Sequence, residues 1–440
     1  MRGLAGEFPL DEQTIFTLGK SLAKQIAEKL DRPARFITGR DTRESGEWIE
    51  HAFHAGAKSE DAHCESAEII TTPGVAFLTK KFEFDAGIVI SASHNPFEDN
   101  GIKIFSPSGK KIDGETEKRI ESEIFGGDDL PPMVNLHWSV DYSNAEEYQA
   151  AYLDYLAEEF KNLSLENFKM VIDCANGAAS HLASRLFERF GAEIVAINCE
   201  PDGQNINKDC GSLHLENLQA KVLEEKANFG VAFDGDADRA LFSDEQGNLV
   251  DGDAVLWVMA QFLEAHGKLE NKKIVATVMS NIGLETALKI KNIELVRASV
   301  GDKYVLEELL ATNSAVGGEQ SGHIIFPNKS LVGDGMMTTL YLLETLYENK
   351  KSLSEMTVGF TKFPQVLVNV KVRQKLPFEE VAEIARAAKQ LEAELGEKGR
   401  LLLRYSGTEN LARVMIEGEN QSEIEAQANR LAEIIKKSLG

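Results

Sequence analysis

Lys169-Met170-Val171-Ile172-Asp173, then a glycine-containing turn, a helical run over residues 179–190, and Ala192-Glu193-Ile194-Val195-Ala196-Ile197 make one strand–helix–strand pattern. Two short apolar runs rich in β-branched residues, separated by a helix-length segment, read as a βαβ unit. The same grammar appears upstream, in Ala34-Arg35-Phe36-Ile37-Thr38 before Gly39, a helical stretch over residues 44–58, and Ala86-Gly87-Ile88-Val89-Ile90-Ser91. It returns downstream in Lys273-Ile274-Val275-Ala276-Thr277-Val278, a helix over residues 283–290, and Glu294-Leu295-Val296-Arg297. Alternation of this kind predicts α/β architecture with parallel or mixed sheets. What repeats is the structural grammar and not the residues.

The connections suggest boundaries. Gly126-Gly127-Asp128-Asp129-Leu130-Pro131-Pro132 reads as a loop. Residues 144–160 read as a long helix joining the first two domains, with a cap at Ser143 and apolar positions Tyr148, Ala151, Tyr152, Tyr155 and Leu156 at helical spacing. The last segment differs: Val366, Val368, Val370 and Val372 alternate with wetter positions, two more strands follow at 401–404 and 411–416, and Ile424, Ala428, Leu431 and Ile435 share a helical face. The expected organisation is three similar α/β domains with mixed sheets, at 1–143, 144–248 and 249–360, and a C-terminal α+β domain at 361–440.

A chain of 440 residues is too long for one core. Its 43% hydrophobic and 27% charged residues suit a folded protein. With 47 basic against 71 acidic residues, the formal charge of -24 disfavours nucleic acid and anionic membrane partners. An anionic substrate would therefore need a local cluster of cations. Cys64, Cys174, Cys199 and Cys210 are widely spaced and are expected to be reduced. Residues 1–11 lack the apolar core of a signal peptide, and no apolar run approaches the roughly 18 residues of a membrane span, so the expected location is cytoplasmic.

Four segments carry chemistry. Ile90-Ser91-Ala92-Ser93-His94-Asn95-Pro96 leaves a strand and enters a polar turn, where a serine can act as nucleophile or phosphate carrier; the same residues also make an ordinary turn. Gly230-Val231-Ala232-Phe233-Asp234-Gly235-Asp236-Ala237-Asp238-Arg239 ends a strand in three alternating carboxylates, which a divalent cation would keep ionised together. A surface acidic loop is the plainer alternative. An EF-hand fails because Arg239 stands where the sixth position needs glycine and Ala240-Leu241-Phe242 reads as a return strand. Mg²⁺ fits the spacing better than a closed Ca²⁺ cage. Gly317-Gly318-Glu319-Gln320-Ser321-Gly322-His323 offers Glu319, Ser321 and His323 to sugar hydroxyls, or is simply a glycine-rich turn. Arg404-Tyr405-Ser406-Gly407-Thr408-Glu409-Asn410, with Arg413, reads as an anion-binding nest or as a hairpin with incidental arginines. Lys103 and Arg40-Asp41-Thr42-Arg43 add basic groups to the first domain.

The order of these four segments resembles the α-D-phosphohexomutase superfamily over essentially the whole chain. The phosphoglucosamine mutase branch is the nearest likeness, through Ser91–Pro96, Asp99-Asn100-Gly101-Ile102-Lys103, Asp173-Cys174-Ala175-Asn176-Gly177-Ala178, Asn205-Ile206-Asn207, Cys210-Gly211-Ser212, Thr277-Val278-Met279-Ser280-Asn281 and the Gly317–His323 loop. The resemblance implies four domains around a central cleft. It also implies interconversion of glucosamine 6-phosphate and glucosamine 1-phosphate through a phosphoserine, with a hexosamine 1,6-bisphosphate as intermediate and activator, feeding UDP-N-acetylglucosamine and cell-wall precursors. Carried over by position, Ser93 is the phosphoserine; Asp234, Asp236 and Asp238, with a Ser93 phosphate oxygen, hold Mg²⁺; Glu319 and Ser321 meet the sugar; and Arg404, Ser406, Gly407, Thr408 and Arg413 hold the non-reacting phosphate. Lys103 and His94 are the expected aids to proton transfer or to the bridging oxygen. A small-molecule phosphosugar is the implied partner, while the sequence leaves the oligomeric state open, a homodimer among the alternatives.

Departures from the pattern are local. Relatives open with Phe-Gly-Thr-Asp-Gly-x-Arg-Gly, whereas this sequence begins Met1-Arg2-Gly3, so its first strand is expected to be shortened. Asn410 stands where proline is common and Lys303 where arginine is common, both expected to be tolerated. The rival readings are a phosphomannomutase/phosphoglucomutase, a phosphatase using Asp234 as nucleophile, and a non-catalytic phosphosugar-binding protein.

Overall fold

The computed structural model describes residues 1–126, 139–406 and 409–440, grouped in two compact units: 1–278 with 296–357, and 279–295 with 358–440. In the first unit the chain runs β1 (Arg2–Leu4), α1 (Glu12–Leu30), β2 (Arg35–Arg40), α2 (Ser45–Lys58), β3 (His63–Ile69), α3 (Thr72–Lys81), β4 (Ala86–Ile90), β5 (Asp99–Phe105) and α4 (Gly114–Phe125). The sheet order is β1-β5-β4-β2-β3, parallel across β3, β2 and β4 and antiparallel at β5 and β1. Strand β1 is short and pairs through Arg2, Gly3 and Leu4 with Gly101, Asn100 and Asp99.

Helix α1 starts where the Asp11 side chain accepts from Thr14 N, satisfying a free helical N–H, and it stops at Asp31 in a left-handed conformation. Its Ile15, Leu18 and Leu22 join Phe53 of α2, Phe36, Ile88, Ile90, Ile102 and Ile104 of the sheet and Ile120 of α4 in one core. Every residue of β4 is buried, so its sequence reads as an unbroken apolar run.

Helix α5 (Ala145–Glu159) leads to β6 (Lys169–Asp173), α6 (Ala183–Phe187), β7 (Glu193–Ile197), α7 (Glu216–Glu225), β8 (Phe229–Phe233), β9 (Ala240–Ser243) and β10 (Leu249–Val250). This second sheet, β10-β9-β8-β6-β7, repeats the first: β7, β6 and β8 are parallel, and β9 and β10 return antiparallel. Strand β8, like β4, is buried along its whole length. Two expectations need correction. The residue capping α5 is Asn144, without a side-chain cap bond, and Ser143 N instead donates to Asp141 Oδ1. The helix expected over 179–190 is only α6 followed by a 3₁₀ turn, because the preceding residues are spent on a turn in which Ala178 N donates to Gly235 O.

The third sheet, β12-β11-β13-β14, is built from β11 (Lys273–Thr277), β12 (Glu294–Ala298), β13 (Gly317–Gly318) and β14 (Ile324–Ile325). With it go α8 (Gly252–Ala265), α10 (Asp302–Thr312), α11 (Gly335–Asn349) and the single turn α12 (Leu353–Met356), with α9 (Ile282–Ile290) lying in the second unit. Strand β13 is parallel to β11 and antiparallel to β14. The second unit also contains the antiparallel sheet β15 (Gln365–Lys371), β16 (Gly399–Tyr405) and β17 (Leu411–Gly418), in the order β15-β17-β16, with α13 (Ala382–Leu395) and α14 (Gln421–Leu439). The predicted face of α14 is the buried one: Ile424, Ala428, Leu431 and Ile435 pack with Val370, Val372, Val414 and Ile416. Among the described residues no helix is long and apolar enough to cross a membrane.

Asp334 caps α11, accepting from Met337 N at 2.9 Å, and its other oxygen accepts from Tyr152 Oη of α5 at 2.9 Å. Burial pushes its carboxyl up to about 6, against the opposing effect of those two donors. Because the folded value lies above the usual 3.8, the protonated form is the one folding favours. That contribution is complete below the unfolded pKa and is lost as pH rises through about 6. Asp334→Asn keeps a capping oxygen and a partner for Tyr152, so its thermal midpoint should rise relative to wild type between pH 4 and 7, by on the order of 3 kcal/mol in stability. A constant difference across that range would refute this assignment.

Candidate active site

The two fully buried central strands, β4 and β8, deliver the principal groups. Just beyond β4, Ser93 is 3% exposed and sits at φ +57°, a left-handed conformation unusual for serine. Its Oγ donates to Asp234 Oδ2 at 2.5 Å, immediately after β8. The approach requires glycine at position 235, since a Cβ there would lie 2.6 Å from the Ser93 carbonyl oxygen.

Asp234, Asp236 and Asp238 are buried and offer carboxylate oxygens within 4.8 Å of one another. Burial, reinforced by Asp238 and Asp236, pushes the Asp234 carboxyl up to about 8. Burial also works against ionised Asp238, but Lys103 and His323 outweigh it and hold that carboxyl well below the usual range. Lys103, from β5, donates to Asp236 Oδ2 at 2.5 Å and Asp238 Oδ2 at 3.0 Å. Its ammonium is pulled down by burial yet ends above its ordinary value because of those carboxylates. Asp236 Oδ1 and Asp238 Oδ1 are buried without a hydrogen-bond donor. A compact set of hard oxygens with orphaned lone pairs fits a divalent cation such as Mg²⁺.

His94 lies beside Ser93 with Nδ1 3.3 Å from the serine Oγ, and Arg239 Nη1 approaches the same nitrogen at 3.0 Å. Burial, then the Arg239 charge, pulls the imidazole down to about 4, so it is neutral at physiological pH. With Nδ1 committed as an acceptor to arginine, the neutral ring carries its proton on Nε2.

The third strand end, after β13, carries Glu319 and Ser321, both half-exposed. Glu319 Oε1 accepts from Gly301 N at 3.2 Å and Oε2 from Ser321 Oγ at 3.1 Å. Gly322, at φ +90°, lets the loop lie against Ala240, whose carbonyl would be 2.2 Å from any Cβ. His323 does not accompany Glu319 and Ser321 to the surface, contrary to the expectation that it meets a sugar. It is 3% exposed, its Nδ1 lies 3.5 Å from Asp238 Oδ1, and its Nε2 accepts from Gly333 N. Lys303 is exposed at the start of α10.

In the second unit, Arg404 and Arg413 face each other across the β16–β17 pair. Burial and then Arg413 lower the Arg404 pKa from its usual value. Arg413 Nη2 is 3.5 Å from Ser406 Oγ, and Lys375 Nζ donates to Ser406 O at 2.7 Å. Two like charges held opposite each other, with a hydroxyl and a lysine nearby, make a setting that an anion would relieve. Gly407 and Thr408 lie outside the described residues. Asn410 is exposed, and its carbonyl accepts from Val372 N at 3.0 Å.

Comparison with known proteins identifies the family of the chain. Residues 1–130, 150–247 and 251–363 match phosphoglucomutase/phosphomannomutase α/β/α domains I, II and III, and residues 367–434 match the C-terminal domain of the same proteins. A phosphoglucosamine mutase of Solibacter usitatus is 45% identical over 440 residues, covering 100% of this chain and 98% of its own. The chain belongs to the phosphoglucomutase/phosphomannomutase family. Another relative, the phosphoglucosamine mutase of Caldicellulosiruptor saccharolyticus, is 46% identical, covering 100% and 98% of the two chains. Among solved structures, a phosphoglucomutase/phosphomannomutase family protein from Burkholderia thailandensis shares the fold, with a TM-score of 0.78 at 21% identity over 100% of this chain and 96% of that one. The Aspergillus fumigatus N-acetylphosphoglucosamine mutase, solved with GlcNAc-6P and magnesium, aligns with a TM-score of 0.65 at 20% identity, covering 84% and 93%.

Within this phosphohexomutase fold, several groups at the site had no role assigned from sequence. Thr72, at the start of α3, donates through Oγ1 to Asp236 Oδ2 and through N to Asp236 O. Arg43 is buried, pairs with Asp41, and reaches the carbonyls of Ser93 and Asn95. Asn207, distant in sequence, reaches the same two carbonyls. The Asn205-Ile206-Asn207 motif was visible; its target was not. A Gly235→Ala protein should lose about 1–3 kcal/mol of stability by overpacking against backbone. Gly114→Ala, with nothing within 4 Å of its Cβ, is the control, and thermal denaturation that ranked the two equally would contradict the close approach.

Proposed function

We propose that this chain is a phosphoglucosamine mutase, an isomerase that carries its transferable phosphoryl group on Ser93. The observation that carries the reading is the meeting of Ser93 Oγ with Asp234 at 2.5 Å, inside a buried set of three carboxylates flanked by Lys103. The preference for an amino sugar is supported by the 44–46% identity of relatives bearing that name. In this reading residues 1–143 bear the phosphoserine, 144–248 the metal ligands, 249–360 the sugar contacts and 361–440 the distal phosphate nest.

Transfer breaks the bond between phosphorus and Ser93 Oγ and forms one to the free O1 or O6 of the sugar, giving the 1,6-bisphosphate. The proton of the attacking sugar hydroxyl ends on the freed Ser93 Oγ; after the bisphosphate turns around, its other phosphate moves to Ser93 Oγ and that proton passes to the sugar oxygen left behind. The net change is an isomerisation. Asp234, Asp236 and Asp238 would hold Mg²⁺, which supplies positive charge to the phosphoryl oxygens when bound. Lys103, kept cationic by Asp236 and Asp238, adds charge beside them. Neutral His94, with Arg239 on Nδ1, has its Nε2–H available as a donor. Glu319 and Ser321 accept and donate to sugar hydroxyls, and Arg404, Ser406, Gly407, Thr408 and Arg413 hold the phosphate that is not reacting. Catalysis of this type rests on positioning and charge neutralisation.

Ser93→Ala should lower turnover of glucosamine 6-phosphate by at least about 10³-fold. Intact-mass mapping of the wild type after incubation with glucosamine 1,6-bisphosphate should find one acid-stable phosphate on Ser93. An acid-labile phosphate on Asp234 would instead indicate phosphatase chemistry, and faster coupled turnover of mannose or glucose 6-phosphate would reassign the sugar. Asp236→Asn should abolish both activity and its Mg²⁺ dependence; an unchanged Mg²⁺ titration would remove Asp236 from the metal set.

A further inference from the structure

The Ser93 backbone is held in an unfavourable conformation by side chains from two different sheets. A serine at φ +57° sits in a left-handed conformation that its own Cβ disfavours, so its neighbours must impose it. On the side of the first sheet, Ser91 Oγ accepts from Ser93 N at 2.9 Å, and Arg43 Nη2 donates to Ser93 O at 3.3 Å and to Asn95 O. The complementary contact comes from the second sheet. Asn207 Nδ2 donates to Ser93 O at 2.9 Å and to Asn95 O at 3.0 Å. Both partners are carbonyls, which only accept, so the amide must turn its NH₂ toward them.

Asn207 is itself well supported. It is 8% exposed, adopts φ +58°, and its own N donates to Ala175 O at 2.9 Å. Ala175 is anchored in turn by Asp173 Oδ1, at the end of β6. The loop around it joins the first sheet's loop at two more points: Thr42 Oγ1 donates to Asn176 O, and Glu44 N donates to Gly203 O at 3.0 Å. The Asn207 side chain does not bond to the acidic set; it bonds to the backbone carbonyls of the serine turn, one on Ser93 itself and one two residues on at Asn95.

We infer that Asn207 is a positioning residue for Ser93. By bonding the two carbonyls that bracket the turn, it fixes where Oγ points relative to Asp234, and it makes the reactive serine depend on correct seating of the second sheet's loop. This rests on the phosphoserine reading of Ser93. Arg43 grips the same carbonyls through a rigid, charged fork; Asn207 supplies the matching neutral grip from across the sheet boundary, so neither alone defines the turn.

The substitutions that separate this role from plain stability are Asn207→Ala, which deletes the donor, and Asn207→Asp, which sets a carboxylate against two carbonyls. Steady-state kinetics on glucosamine 6-phosphate should show kcat reduced up to about 100-fold for Asn207→Ala, as expected for misplacing a reacting group by an ångström, with KM changed less than about threefold. Asn207→Asp should be more impaired than Asn207→Ala, and Asn207→Ser, which retains one donor, should recover part of the lost kcat. Phosphorylation of Ser93 by glucosamine 1,6-bisphosphate, followed by intact mass in single turnover, should slow in the same order. The inference is overturned if folded Asn207→Ala, verified by circular dichroism, keeps kcat within threefold, or if KM rises while kcat holds. It is also overturned if Asn207→Ala fails to fold while Asn207→Ser folds and transfers phosphate at the rate of wild type. If the wild type itself takes no phosphate on Ser93, the function proposed above fails, and that outcome is distinct from a normal wild type beside an unaffected Asn207→Ala.

Discussion

Three buried carboxylates cannot share a loop unless something offsets their mutual repulsion, and the site is organised around that constraint. The response begins with the protein's own donors: Lys103 on Asp236 and Asp238, Thr72 on Asp236, Ser93 on Asp234 and the backbone of Arg239 on the same residue. Three of these donors come from β5, from the start of α3 and from the turn after β4, so the first sheet supplies most of the groups that offset the acidic loop after β8. The donors and the carboxylates form one buried hydrogen-bonded network.

Electrostatics also separate the roles of neighbouring groups. Asp234 is pushed up, by burial first and then by its fellow acids, while Asp238, only four residues on, is held down because Lys103 and His323 outweigh its own burial. His94 and Lys103, paired in sequence reasoning as interchangeable aids, diverge for the same reason. One is neutral beside an arginine and the other is cationic between carboxylates.

Much of this was readable from the chain. Apolar runs such as 86–90 and 229–233 announced buried central strands, and the polar residues after them announced a site, because burial on both faces leaves little freedom in composition. The amphipathic stripe of α14 was equally plain. What escaped was long-range or locally ambiguous. Asn207 and Arg43 look like ordinary loop polar residues until the fold brings them to the Ser93 turn, and His323 looks like a surface histidine until Asp238 and Gly333 enclose it. Residues 179–182 carry helical composition but follow Ala178, whose N is bound to Gly235 O, and continue as local turns in which Ser180 N donates to Gly177 O and Leu182 N to Ala179 O, a tertiary override of local preference.

The three sheets share one change in strand pairing. In each, the strand that pairs parallel on one side and antiparallel on the other, β4, β8 and β13, is the one whose outgoing loop bears the chemistry: Ser93, Asp234 and Glu319. A serine turn, an acidic cluster and a polar glycine-rich loop thus occupy one topological address in the three sheets. The architecture works as a repeated socket: the same change from parallel to antiparallel pairing presents a different loop in each of the three sheets.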